Sequence, residues 1–271
     1  MAGVTGVCRS DATCVGGLAR LCGVIRSVLA PLVVVGLVGL GACTTTSSEA
    51  TNDGSTGVDG VEVPLPTIGL GSDIGQISGG ADVRAVDAGS VESIVMIGDS
   101  ITVGAQPILQ EQLEGLGFAD VTIVAQELKR VSQSLNDNPS GAEIAAFVRS
   151  NDERSADEQL WIVALGTNDI SQYQSVDDIV AEMESVLASV PDGAPLVWVN
   201  TYFADRPDDT AEVNTAIEQV VASRDNAIVG RWDQIAPSDG VLRSDGVHPN
   251  NDGAKVFASL VTTTVAEFLQ R

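Results

Sequence analysis

Histidine is almost missing from this chain. The one copy is His248, in 271 residues, which excludes a metal centre built on several imidazoles. All four cysteines, Cys8, Cys14, Cys22 and Cys43, fall within the first 43 residues. The rest of the chain therefore holds neither a disulfide framework nor a thiolate zinc site. Basic residues are scarce, with 14 Lys+Arg against 37 Asp+Glu and a net charge of −23. A surface of that sign does not neutralise phosphates, so a nucleic-acid partner is not expected. Aromatic residues make up 4% and offer few platforms for stacking bases. The two lysines, Lys129 and Lys255, lie in no G-x-x-x-x-G-K-[ST] phosphate loop, and Gly69-Leu70-Gly71 does not complete a dinucleotide fingerprint. The carboxylates show no EF-hand spacing. A G-x-S-x-G elbow is also missing. What remains is 44% hydrophobic and 19% charged, enough to bury a core.

The N-terminus reads as an export segment. Arg9, Arg20 and Arg26 precede an uncharged apolar run from Val28 to Leu40. That run is shorter than the roughly 20 residues a spanning helix needs. It closes on Leu40-Gly41-Ala42-Cys43, which resembles the lipobox of bacterial lipoproteins. The resemblance implies a signal peptide over 1–42 and a lipidated Cys43, with membrane attachment through the lipid alone. Removing 1–42 takes away three arginines and one aspartate, leaving 11 basic against 36 acidic residues and a net charge of −25. Residues 43–90 are rich in Ser, Thr, Gly and Asp, a solvated tether composition, with a short strand at Val61–Leu65. A compact domain is expected over 91–271.

Within that domain, short apolar runs alternate with stretches of helical period. Strands are expected at Ser93–Ile97, Val121–Ala125, Leu160–Leu165, Leu196–Asn200 and Ala227–Gly230. Helices are expected at Pro107–Leu116, Gly141–Arg149, Val176–Val190, Asp209–Ser223 and Asn251–Leu269. Pro107 is placed in the first turn of its helix, where a missing N–H is harmless. This alternation implies βαβ units and a five-stranded, mostly parallel sheet covered on both faces. In such folds ligands sit at the carboxyl ends of the strands.

Three motifs fall there. Gly98-Asp99-Ser100 follows the first strand, Gly166-Thr167-Asn168-Asp169 follows the third, and Asp245-Gly246-Val247-His248 precedes the last helix. A serine hydroxyl needs a neighbouring base to become a nucleophile. An imidazole, with an unperturbed pKa of about 6.5, suits that task. His248 is the only one available, and Asp245, three residues earlier, can orient it. An amide at a strand end can donate to a developing oxyanion. Each motif alone also fits an ordinary turn or helix cap; together, in order, they resemble the SGNH/GDSL hydrolases over about residues 93–268.

The resemblance implies a three-layer α/β/α, flavodoxin-like fold and a serine esterase acting on O-acyl esters without metal or organic cofactor. It makes Ser100 the nucleophile, His248 the base and Asp245 its orienter. The oxyanion hole is then formed by the Ser100 N–H and Asn168, with Asp99 and Asp169 as turn formers. The family's second block supplies a glycine after the second strand. Here Gln126–Ser134 contains none, and Ser132 is the positional substitute. Lys129 and Arg130, adjacent cations in an acidic chain, are candidates for electrostatic help to an anionic substrate. Tyr202, Phe203 and Trp232 are candidate pocket walls. Three functions stay open: hydrolysis of a small-molecule or glycan ester, acyl transfer to a cell-surface glycan, and non-catalytic binding by a surface lipoprotein. Similarity to SGNH domains attached to cell-surface O-acyltransferases, around Leu196–Asn200, Asn214 and Trp232, supports the second.

Overall fold

The computed structural model describes residues 90–270. The export segment, Cys43 and the tether up to residue 89 lie outside them. The five apolar runs form β1 (Ser93–Gly98), β2 (Asp120–Ala125), β3 (Gln159–Ala164), β4 (Leu196–Val199) and β5 (Ala227–Gly230). They pair in the order β2-β1-β3-β4-β5, every pair parallel.

Six helices connect and follow them: α1 (Ser100–Gly115), α2 (Gly141–Asn151), α3 (Val176–Leu187), α4 (Pro207–Ala222), α5 (Trp232–Ile235) and α6 (Asn251–Leu269). Side chains alternate across the sheet, as the strand period requires. Ile94 and Met96 of β1, with Leu160 and Ile162 of β3, pack against α1 and α6. Val95, Ile97, Trp161 and Val163 pack on the other side against α3 and α4. The result is three layers with two cores, and both faces of β1, β3 and β4 are buried.

Two local outcomes differ from the sequence reading. The first helix begins at Ser100 rather than Pro107, because the Asp99 carboxylate accepts the Ile101 N–H at 3.0 Å and caps it directly off the strand. Pro107 then lies inside the helix on an exposed face, where the Val103 carbonyl it leaves unbonded can turn to water. The four-residue α5 leaves no mark in the sequence pattern, since one turn is too short to show a period.

The strand order reverses between β1 and β3: the chain goes from β1 out to β2, then returns to the other side of β1. Their carboxyl ends form the crevice where open α/β sheets bind ligands.

Candidate active site

Ser100 is the first residue of α1 and the first after the β1–Asp99 junction. Gly98 is required there: a Cβ on it would meet Thr102 Oγ1 at 2.1 Å, so strand and helix could not meet so tightly. Asn168 lies in a single 3₁₀ turn, Thr167–Asp169, just past β3.

His248 arrives on the loop before α6. Leu242 and Pro249 form an antiparallel bridge, and Arg243 N–H donates to His248 O at 2.8 Å. Asp245 Oδ1 accepts the backbone N–H groups of Val247 (3.0 Å) and His248 (2.9 Å). The Asn250 side chain caps α6 through Asp252 and Gly253 N–H. A Cβ on Gly253 would meet the backbone oxygen of Val241 at 2.0 Å. Only glycine lets the loop cross the helix start so closely.

These elements bring the three residues into one line. Ser100 Oγ lies 2.9 Å from His248 Nε2, and His248 Nδ1 lies 3.0 Å from Asp245 Oδ2. An ionised carboxylate only accepts hydrogen bonds. Nδ1 therefore carries the proton and Nε2 is left to accept the serine hydroxyl. Partial burial alone would raise the Asp245 carboxyl, but hydrogen bonds from Val247, His248 and the imidazole hold it at about 2. It stays ionised wherever the imidazole can work.

The cleft above Ser100 encloses about 430 Å³ and is lined by Val103, Gly104, Glu127, Leu128, Asn168, Arg243, His248, Asn250 and Asn251, among others. Asn168 donates its amide to Lys129 O at 3.0 Å, so it ties the β3 turn to the loop after β2. That leaves its second amide hydrogen for the cleft.

Several sequence expectations take a different place. Ser132 does not line the cleft; its hydroxyl donates to Glu182 of α3. The loop reaches the cleft instead at Glu127 and Leu128. Leu128 has a φ of 59°, the left-handed conformation that glycine adopts without strain. Lys129 and Arg130 are buried and engaged inward. Lys129 Nζ donates to Asn138 Oδ1 (3.1 Å) and Pro139 O (2.6 Å), and Arg130 Nε lies 3.5 Å from the Asp169 carboxylate. Neither side chain lines the cleft.

The Asp169 backbone closes the 3₁₀ turn, but its carboxylate does not bond nearby backbone. It accepts Val131 N–H at 3.1 Å, 38 residues away, and so clamps the same loop. Trp232 is fully buried in the core, edge-on to Phe257 at 5.2 Å. Tyr202 and Phe203 pack partly buried against the two cores. None of the three lines the cleft. Arg243, Asn250 and Asn251 do line it, and their only signal in the sequence is nearness to His248.

Asp99, fully buried beneath the site, has its carboxyl pushed up to about 6 by burial, with hydrogen bonds from Ile101 and Thr167 opposing. Asn214 grips Thr201 at both backbone atoms (3.0 and 2.9 Å), which fixes the end of β4 beside the crevice.

The model of the GDSL-like lipase/acylhydrolase family matches residues 96–256, more than half of the chain and all three motifs. No match was found among curated proteins. Solved structures share the fold at low identity. The C-terminal catalytic domain of peptidoglycan O-acetyltransferase A from Streptococcus pneumoniae, with a methylsulfonyl adduct, is 21% identical, with a TM-score of 0.50 over 66% of this chain and 95% of that one. A carbohydrate acetylesterase family member from Sinorhizobium meliloti is 15% identical (TM-score 0.50; 67% and 100% covered). The inhibitor-bound aryl esterase of M. smegmatis is 15% identical (TM-score 0.51; 66% and 100% covered).

Proposed function

We propose that this chain, which belongs to the GDSL-like lipase/acylhydrolase family, is a serine esterase that removes short acyl groups from O-acyl esters through an acyl-Ser100 intermediate. The observation that carries this is the unbroken hydrogen-bonded line from Asp245 through His248 to Ser100, opening into a cleft.

Ser100 Oγ attacks the ester carbonyl carbon while His248 Nε2 takes its proton and Asp245 stabilises the imidazolium. The negative charge that develops on the carbonyl oxygen is met by the Ser100 N–H at the start of α1 and by the free Asn168 amide hydrogen. The third donor is a backbone N–H of the Glu127–Leu128 turn. This turn lines the cleft, and neither of its N–H groups has an acceptor among the described residues. The tetrahedral adduct collapses as His248 gives its proton to the leaving alkoxide. Water, deprotonated by His248, then attacks the acyl-serine and releases the acid. Val103 and Leu128, two of the few large exposed apolar side chains, border the cleft and suit a short acyl group such as acetyl.

The test is turnover of p-nitrophenyl acetate by the protein beside Ser100→Ala. The expected outcome is a loss of at least about 1,000-fold; equal rates would overturn the serine mechanism.

A second reading is acyl transfer, in which a sugar hydroxyl replaces water. The amides of Asn168 and Asn251 along an open cleft favour it, and two of the similar structures are named for acetyl groups on carbohydrate or peptidoglycan. Products formed from an acetyl ester with and without glycan acceptors separate the two.

The cellular setting follows from the export segment, the Cys43 lipobox and the polar tether: the enzyme is anchored by lipid on the outer face of the bacterial cell membrane. Cys43→Ala is expected to abolish fatty-acid labelling and to leave the protein off the membrane. Unchanged labelling would refute the anchor.

A further inference from the structure

Most of the cations among the described residues are spoken for. Arg130 pairs with Asp169, Arg154 with Asp120 and Asp152, and Arg206 with Asp209. Arg224 pairs with Asp192, Arg231 with Glu218, and Lys255 with Asp252. Lys129 is turned inward on neutral oxygens. Arg149, exposed near the end of α2, forms no ion pair among the described residues either, but it does not line the cleft; Arg243 is different. It is exposed, it lines the cleft of Ser100, and its guanidinium has no carboxylate partner among the described residues. It forms no ion pair even with Glu127, the one carboxylate lining the same cleft.

Its position has a chemical meaning. Arg243 is the cross-strand neighbour of His248, held by its N–H on His248 O. The general acid must stand beside the leaving oxygen, so the alcohol half of the ester lies on the His248 side of Ser100, away from Asn168. Arg243 and Asn251 are the polar side chains placed to meet it. The starts of α1 and α6 open into the same cleft. Their dipoles add positive potential in a protein that is otherwise negative. An unpaired guanidinium there is free to chelate an anion with two parallel hydrogen bonds.

We propose that Arg243 determines the specificity of the cleft, and that the preferred substrate is an ester whose alcohol half carries an anionic group, a carboxylate or a phosphate, bound by Arg243. This rests on the ester-cleaving reading of the site and names its substrate class.

A matched set of acetyl esters tests it: 4-acetoxybenzoate, its uncharged methyl ester, and 4-acetoxyphenyl phosphate. For each, kcat/KM is divided by the uncatalysed hydrolysis rate, which removes differences in leaving-group reactivity. The anion-to-neutral preference is expected to fall about tenfold in Arg243→Gln. It is expected to be partly kept in Arg243→Lys and to weaken as salt is added. The larger fall of the two anionic esters identifies carboxylate or phosphate. A preference unchanged in Arg243→Gln, or absent in the wild type, overturns the inference while leaving the esterase reading intact. Failure of Ser100-dependent turnover for all three esters overturns the esterase reading, and this one with it.

Discussion

Asn168 Nδ2 donates to the carbonyl oxygen of Lys129 at 3.0 Å, so a residue that lines the cleft also braces the loop across from it. Asn168→Ala removes an oxyanion donor and this brace together. A fall in kcat of about 100- to 1,000-fold is expected. If kcat stays within a few fold of wild type, the amide does not stabilise the transition state.

Asp245 holds the imidazole through a side-chain bond and holds its own loop through two backbone N–H groups. An asparagine can accept those N–H bonds but does not stabilise an imidazolium. Asp245→Asn is expected to lower kcat by about 100- to 10,000-fold with the fold retained. Steady-state kinetics beside circular dichroism checks it; near-normal kcat would remove Asp245 from the catalytic machinery.

Lys129 is buried with its ammonium on Asn138 and Pro139, and burial draws its pKa below the ordinary lysine value. The side chain staples the 126–139 loop from inside. Lys129→Met keeps the bulk and deletes the staple, and a stability loss of about 1–3 kcal/mol in urea unfolding is expected. No loss would mean that the contacts of Asn168 and Asp169 hold the loop without it.

Two buried carboxylates and one exposed one should shape stability against pH with opposite signs. Burial raises Asp99 and Asp169 to about 6. The unfolded chain ionises them near 3.9, so the native state holds extra protons and stability falls as pH rises from about 4 to 6. For Asp99 the two-unit shift is worth roughly 3 kcal/mol as an upper figure, and Asp99→Asn is expected to flatten that stretch of the curve. Asp245, held at about 2, stabilises above pH 4, and its contribution is lost as pH drops toward 2. Urea midpoints across pH 2–7 report both; a curve of the same shape in Asp99→Asn would contradict the first.

The strands were legible because a parallel sheet covered on both faces demands continuous apolar runs, and Ser93–Gly98 and Gln159–Ala164 are such runs. The first helix was misplaced by its proline, because a cap is a geometric act: Asp99 had to be seen accepting Ile101 N–H before Ser100 could be the helix start. Ser132 is the substitute that position along the chain suggests. The loop's actual course is set by contacts of Asp169 and Asn168, which lie 38 and 39 residues away in sequence from their partners, Val131 and Lys129. No local pattern contains such pairings.

The sequence by itself determined the order of strands and helices and the chemical types at their ends: a serine after β1, an amide after β3, and the chain's only imidazole before α6. Local rules of period and capping suffice for that. The tertiary structure decided which of these meet. The switch between β1 and β3 and the crossing of the Val241–Pro249 loop over Gly253 put Ser100 2.9 Å from His248 across 148 residues of chain. Long-range packing also turned Lys129 and Arg130 inward, where carboxylate and carbonyl oxygens could compensate their charge, and left Arg243 as the cation in the cleft.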